Sequence, residues 1–241
     1  MGKFKEGRKW VLINMIIAMM FMMITPITKA IDTNPVHDPC TDTKVQRWDG
    51  FTFGLAFSSK ESFYAPDQVQ LSPCDSRLQL VNKAQLAVFR PRVDEISLLT
   101  INSTFSPDTS GGYMVAFAGR AYAARSPPVF VADSTNIVTS FTLVLEFEKG
   151  ILQNLYWKKF GCDSCKDYHI CKDNQECAVP TSKCKDKGGP IDCTISIQLT
   201  FSGTDRNSEV LNSWYEMKNM RRFSLLDLFS SLQNSFTNGF F

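Results

Sequence analysis

Six of the eight cysteines lie between Cys162 and Cys193, with the spacing C-x2-C-x5-C-x5-C-x6-C-x8-C. Cysteines at this density form disulfides in an oxidising compartment, whereas reduced thiolates bind zinc. Cys162 and Cys165 have zinc-knuckle spacing, but no second close pair follows, and a redox C-x-x-C motif is expected to open a helix. We therefore expect disulfides, with a zinc site and redox chemistry as the alternatives. The predicted disulfide cysteines are Cys40, Cys74, Cys162, Cys165, Cys171, Cys177, Cys184 and Cys193.

The pairing of these cysteines is mostly open at the level of sequence, because eight cysteines permit 105 pairings. Cys40 and Cys74 are the two that lie outside the cluster, and they flank one strand-like segment. A Cys40–Cys74 bridge is therefore the simplest hypothesis. No metal and no cofactor is predicted.

The first 30 residues have the pattern of a secretory signal peptide. Four Lys or Arg residues in positions 1–9 precede an apolar run from Trp10 to Ile24. This run of about 15 residues is shorter than the roughly 20 that a membrane-spanning helix needs, and Thr28-Lys29-Ala30 offers small residues at the −3 and −1 positions of a cleavage site. We predict cleavage after Ala30. An uncleaved membrane anchor is the alternative.

The charge of the predicted mature chain argues against some partners. The first 30 residues hold five of the 26 basic and one of the 24 acidic residues, so residues 31–241 carry a net charge of −2. Nucleic acids and anionic membranes require a clustered positive field. We therefore expect no nucleic-acid partner, and a membrane only if the N-terminal segment is retained. Asn102-Ser103-Thr104 is a glycosylation sequon beside a turn-rich stretch, which predicts a glycan on Asn102.

Alternating apolar residues predict a mainly β domain. Seven segments are predicted as strands: residues 51–58, 85–89, 93–101, 112–118, 140–148, 151–157 and 195–202. In the clearest of them Phe141, Leu143, Leu145 and Phe147 share one face, and Lys149-Gly150 predicts a hairpin turn into Ile151–Trp157. Apolar residues on both faces of Val93–Ile101 predict a central strand covered on both sides. These segments favour an antiparallel, jelly-roll-like β-sandwich.

We predict one domain over residues 31–241, with two additions to the sandwich. Residues 160–193 form a cysteine-rich excursion whose bridges replace a core of its own, because it could bury little apolar surface. Residues 207–237 change to helical spacing and predict two amphipathic helices, the first with Val210, Leu211, Trp214 and Met217 on its apolar face.

Few residues could carry catalysis. Glu146 and Glu148 share one face of a predicted strand at a separation that glycosidase carboxylates use, although exposed acidic residues on a strand are usually solubilising. The only histidines are His37 and His169, and the motifs of serine hydrolases, zinc proteases and nucleotide-binding proteins do not occur in the sequence. An enzyme is therefore the less favoured hypothesis.

Aromatic side chains offer a way to bind sugars by stacking. Tyr156 and Trp157 are the main candidates, because adjacent residues on a strand point to opposite faces and one of them must face outward. Further aromatic candidates are Trp48, Tyr64, Tyr113, Tyr122 and Tyr215.

Three segments resemble a known family: Val93–Ile101, Gly111–Arg120, and Gln153–Trp157 with the cysteine cluster after it. Together they are similar to a land-plant family of uncharacterised secretory-pathway proteins, along nearly all of the chain from Asp38 onward. The resemblance implies a plant source and a signal peptide, and it implies no activity or ligand.

The sequence as a whole predicts a secreted or lumenal, disulfide-bonded, non-catalytic binding module of the plant apoplast or endomembrane system. Its predicted partner is a cell-wall polysaccharide or an extracellular protein. The alternatives are an extracellular glycoside-type hydrolase that uses Glu146 and Glu148, and a protein held at the membrane by its N-terminal apolar segment.

Overall fold

The protein is mainly β, as the alternating segments predict. The computed structural model describes residues 31–74, 80, 84–101, 111–119, 124–162, 165, 169–172 and 176–222. Its strands are β1 (Phe53–Ser59), β2 (Gln85–Phe89), β3 (Ser97–Ile101), β4 (Gly112–Ala118), β5 (Ala124–Arg125), β6 (Val129–Phe130), β7 (Asn136–Val138), β8 (Ser140–Glu148), β9 (Ile151–Trp157), β10 (Ile170–Lys172), β11 (Glu176–Pro180), β12 (Ile195–Thr204) and β13 (Val210–Leu211), and its helix is α1 (Ser213–Arg222).

The strand with the strongest alternation, β8, lies inside a five-stranded sheet that we call the β8 sheet. It pairs antiparallel with β9 through the predicted turn, where Lys149 has φ 49° and Gly150 φ 80°; two positive φ angles are typical of a type I′ hairpin turn. On its other edge β8 pairs with β12, and this pair is parallel. The far edge of β12 pairs antiparallel with β3 and β13.

The second five-stranded sheet, the β4 sheet, runs β2-β1-β4, with β5 and β6 on the remaining edge of β4. All of its pairs are antiparallel. A smaller sheet, the β11 sheet, has the order β10-β11-β7 and is also antiparallel. The mostly antiparallel pairing was predicted, and the parallel β8–β12 pair was not.

The two larger sheets contribute to one hydrophobic core. Leu143, Leu145 and Phe147 of β8 are buried there with Ile197, Leu199 and Phe201 of β12 and with Phe53 and Leu55 of β1. Ring contacts connect several of these residues; for example, Phe51 and Phe147 lie 5.1 Å apart, edge to face. The core face assigned to β8 from alternation is therefore confirmed.

Strand β1 is buried on both faces, which alternation did not predict. Its small residues, such as Ala56, face a second cluster with Phe63, Leu71 and Leu80, and the Cys40–Cys74 bridge packs against this cluster. Gly54 on β1 lies so close to the Phe117 ring that a β-carbon would be 2.2 Å from it. The polar segment after β1 therefore packs over the outer face of the β4 sheet.

All eight cysteines are disulfide-bonded, and the predicted Cys40–Cys74 bridge is present. The cluster pairs Cys162–Cys171, Cys165–Cys177 and Cys184–Cys193. The zinc and redox alternatives are therefore wrong for this fold. The excursion also buries more than expected: β11 pairs with β7, and Ala178, Val179 and Cys184 belong to the main core.

The prediction of a central strand over Val93–Ile101 is wrong. The strand begins only at Ser97, and in the described part of the chain it pairs with β12 alone, leaving Leu98 68% exposed. The preceding residues turn because Asp94, at φ 67°, is buried and bound elsewhere. Its Oδ1 accepts the backbone N–H groups of Asn212 and Ser213 at 2.7 and 2.8 Å, and its Oδ2 lies 2.8 Å from Nε of Arg47.

The helical tail is only partly as predicted. Val210 and Leu211 form β13 rather than the first helical turn, because the turn over Asp205–Glu209 brings the chain back to pair with Gly203 and Thr204 of β12. Helix α1 follows, with Met217 buried and Trp214 half-buried. The second predicted helix lies outside the described residues, as does the predicted signal peptide.

Candidate functional site

Glu146 and Glu148 lie on one face of β8, as predicted, and both are exposed to solvent. Glu146 is opposite Asn154 of β9, and Glu148 is opposite Ile151 at the hairpin turn. A glycosidase needs one carboxylic acid whose pKa is raised in a shielded site. The position of these two residues on an open face instead suits a solubilising role.

Tyr156 and Trp157 point to opposite sides of β9. Trp157 faces the core, where its ring lies 5.7 Å from that of Phe141, edge to face. Tyr156 faces outward beside Glu146 and near the exposed Tyr215 of α1. Burial raises the pKa of Tyr156, and the charges of Glu146 and Tyr215 raise that pKa further. One residue of the pair faces outward, as predicted, and it is Tyr156. Trp157 instead packs against the core.

A surface of aromatic and charged side chains surrounds Tyr156, and we call it the β9–α1 face. Tyr215 is 57% exposed, and the ammonium group of Lys158 lies 6.0 Å from the centre of the Trp214 ring. Glu146 belongs to the same surface. This face brings together three of the residues that the sequence singled out, namely Glu146, Tyr156 and Tyr215.

A groove of about 540 Å³ opens at another candidate aromatic residue, Tyr113. We call it the Tyr113 groove. Its lining residues come from the start of β4, from β6, from the loop before β7 and from β10: they are Gly111, Tyr113, Phe130, Ala132, Asp133, Ser134 and Lys172. The volume falls within the range of 300–1,000 Å³ that is usual for ligand sites.

Two glycines place Tyr113 at the groove. Gly111 and Gly112 have φ angles of 94° and 78°, and a β-carbon on Gly112 would lie 2.2 Å from the carbonyl oxygen of Ala132. Only glycine combines these φ values with so close an approach of backbone. The Gly112 carbonyl accepts the N–H of Val131 at 2.8 Å, which holds β6 and the residues after it against the start of β4.

The aromatic rings of the groove form a fixed pair. Tyr113 and Phe130 face each other across the antiparallel β4–β6 pair, with ring centres 5.7 Å apart and planes at 78°. Phe130 is buried, and Tyr113 is half-buried. The edge-to-face arrangement is one that aromatic pairs prefer, so Tyr113 is held in place and still reaches solvent.

Each ring of this pair has an ammonium group near it. Lys172 Nζ lies 4.8 Å from the centre of the Phe130 ring, and Lys60 Nζ lies 5.9 Å from that of Tyr113. Lys172 also donates a hydrogen bond of 3.3 Å to Oδ2 of Asp133. Lys172 is carried on β10, so the cysteine-rich excursion contributes directly to this groove.

Asp133 is held in its ionised form. Burial works to raise its pKa, but hydrogen bonds from the Thr135 hydroxyl, from the backbone N–H groups of Thr135 and Asn136, and from Lys172 lower the pKa to about 2. The three bonds to Oδ1 measure 2.7 to 2.8 Å. The carboxylate thus orders its own turn and anchors Lys172.

Sequence reasoning missed most of this groove. Tyr113 was a candidate on aromatic character, whereas Phe130, Asp133 and Lys172 were not singled out. Asp133-Ser-Thr-Asn is a sequence that favours a side-chain-capped turn, and this was the one local signal available. The predicted glycan site Asn102 lies outside the described residues.

Other kinds of site receive no support from the described residues. Within these ranges no group of three or more His, Cys, Asp or Glu side chains is placed to hold a metal ion. The helix of the described part of the chain is not long and apolar enough to cross a membrane.

Comparison with known proteins gives a family. No curated protein and no solved structure matches the chain. A family model matches residues 11–137 and 122–237, which together span most of the sequence. The chain therefore belongs to the family described as "Uncharacterised protein DDB_G0273449".

Proposed function

We propose that this protein is a secreted or lumenal, non-catalytic module that binds a polysaccharide in the Tyr113 groove. The single observation that carries the proposal is the arrangement of the groove itself. A half-buried tyrosine ring is fixed against Phe130, and Asp133 and Lys172 line the same opening. Sugar rings offer apolar C–H faces and polar hydroxyl edges, and such a groove presents a partner for each.

The proposed architecture is a β-sandwich in which the β8 and β4 sheets form the two layers. The shared core of the two sheets supports it. A rigid sandwich suits binding, because a loop groove held by β4, β6 and β10 needs little ordering when a ligand arrives.

Four disulfides favour folding in an oxidising extracellular or lumenal environment. A signal peptide that ends near residue 30 agrees with the way the fold begins. Arg90 donates hydrogen bonds to Asp32 Oδ2 at 2.7 Å, to the Asn34 carbonyl at 2.5 Å and to the Val36 carbonyl, so the chain is built into the domain from Asp32 onward. A land-plant source and a glycan on Asn102 are part of the same proposal.

Substitution of Tyr113 tests the proposed site. We expect Tyr113→Ala to lose binding to the polysaccharides that the wild type retains on a plant and microbial glycan array. Tyr156→Ala, which removes an equivalent ring from the β9–α1 face, is the matched control and should bind normally. Loss of binding by Tyr156→Ala alone would move the site to that face, and absence of any retained polysaccharide would refute the proposal.

A further inference from the structure

The polar groups around the Tyr113 groove differ in what they can offer a ligand. Asp133 is engaged by its own turn, since Oδ1 accepts three hydrogen bonds and Oδ2 accepts one from Lys172. Neutral sugars are bound largely by carboxylate and amide groups that accept hydrogen bonds from hydroxyls. Oδ1 of this carboxylate is therefore occupied by donors of its own turn, and Oδ2 is shared with Lys172.

The lysines are in the opposite situation. An ammonium group has three N–H donors, and Lys172 uses one of them in the bond to Asp133. The side chain of Lys172 is 34% exposed. Lys60, whose ammonium group lies near the Tyr113 ring, is also exposed. Two ammonium groups therefore lie near the aromatic pair: Lys172 lines the groove and is paired with Asp133, and Lys60 lies beside the Tyr113 ring, outside the lining.

On the basis of the proposed function, we infer that the polysaccharide is anionic and carries carboxylates on its sugar rings. A uronate ring fits both elements, because its C–H face can stack on Tyr113 while its carboxylate meets Lys60 or Lys172. The attraction must be local, because residues 31–241 carry a net charge of −2.

The test compares two polymers with the same sugar backbone, polygalacturonate and its fully methyl-esterified form, in which methyl esters replace the charged carboxylates. We expect wild-type protein to bind polygalacturonate at least tenfold more tightly in isothermal titration at about 50 mM salt, and to lose most of this preference at about 300 mM salt because ionic contacts are screened. Lys60→Gln should reduce the preference severalfold without touching Asp133, and Lys172→Gln should do the same. Lys158→Gln, which removes an equal charge from the β9–α1 face, is the matched control and should leave the preference unchanged.

The outcomes separate the two proposals. Equal binding of both polymers, with loss of both in Tyr113→Ala, would overturn the anionic ligand and leave the polysaccharide site standing. A similar loss of preference in Lys158→Gln and Lys60→Gln would show general ion exchange and would also overturn the inference. Binding of neither polymer, with no polysaccharide retained on the array, would refute the proposed function as well.

Discussion

At the residue scale, Leu145 provides the most direct test of the core. It is fully buried on β8, opposite Leu155 of β9 and Phe201 of β12. We expect Leu145→Ala to lower the free energy of unfolding by about 2–5 kcal/mol, because burial is lost and a cavity remains. Chemical denaturation measures this loss. Glu148→Ala, on the exposed end of the same strand, is the control and should change stability by less than about 0.5 kcal/mol.

A loss below about 0.5 kcal/mol for Leu145→Ala would contradict the assignment of the core face of β8, since substitutions of exposed residues have effects of that size.

Asp133 gives a prediction for pH at the same scale. Its pKa in the folded chain is about 2, below the ordinary value of 3.8, so its ionised form is favoured by folding. This contribution is complete above the unfolded pKa and is lost as the pH falls from about 4 to about 2. We expect Asp133→Asn to lower the melting temperature by a constant amount from pH 7 to pH 5, and we expect the difference from wild type to shrink towards zero at pH 2.

Thermal unfolding of both proteins across this range measures the effect. A difference that stayed constant down to pH 2 would show that the charge of Asp133 has no part in it.

Individual core residues were predictable because alternation alone assigns their faces. Leu143 and Leu145 were assigned correctly in this way, whereas Tyr156 and Trp157 were not separable, since both rings are amphipathic and either could have faced outward. Asp94 was not predictable at all. The backbone groups that bind it belong to Asn212 and Ser213, more than a hundred positions further along the chain, and no local pattern marks such a pairing.

At the scale of elements, β2, β4, β8 and β9 begin and end where their sequences predict. These strands are bounded by clear signals such as Gly111-Gly112 and Lys149-Gly150. Strand β3 was misjudged because apolar residues on both faces were interpreted as burial on both faces. Leu98 is instead exposed at a sheet edge, and exposed single leucines are common on protein surfaces.

The disulfides of the excursion give a prediction at this scale. The Cys165–Cys177 bridge closes a loop with a sequence separation of 12, for which chain entropy predicts a contribution of about 3 kcal/mol. We expect Cys165→Ser combined with Cys177→Ser to lower stability by about this amount and to speed amide exchange in β10 and β11. Ligand binding in the Tyr113 groove should weaken too, because Lys172 lies on β10.

The Cys40–Cys74 bridge offers the matched control. Its double serine variant should destabilise the cluster around Phe63 and leave exchange in β10 and β11 unchanged. Equal effects of both variants on β10 and β11 would mean that the bridges stabilise the molecule only globally.

At the scale of the whole molecule, the mass of the mature protein tests the proposed processing. We expect the protein expressed in plant cells to begin at Ile31, to contain no thiol that reacts with an alkylating agent, and to lose the mass of one glycan after enzymatic deglycosylation. Intact mass spectrometry under non-reducing conditions measures all three. A mass that includes Met1 would contradict cleavage of the signal and support the membrane-anchored alternative.

The mainly β character of the fold was predictable from sequence, and the arrangement of the strands was not. Apolar and polar residues alternate in the same way whether a strand pairs parallel or antiparallel. The sequences of Ser140–Glu148 and Ile195–Thr204 therefore do not indicate that β8 and β12 run in the same direction. The candidate groove was not predictable either, because its residues on β4, β6 and β10 are far apart in sequence and come together only in the folded sheets.

The position of β12 between β8 and β3 has a consequence for how the chain folds. Its partners lie far back along the chain, with Ile195 opposite Ile101 and Ser196 opposite Ser140. Contacts between distant residues form slowly because the intervening chain must first be ordered. Until β12 has been synthesised, the edges of β3 and β8 that it covers have no partner there, so we expect the β8 sheet to close only after the cysteine-rich excursion has been made.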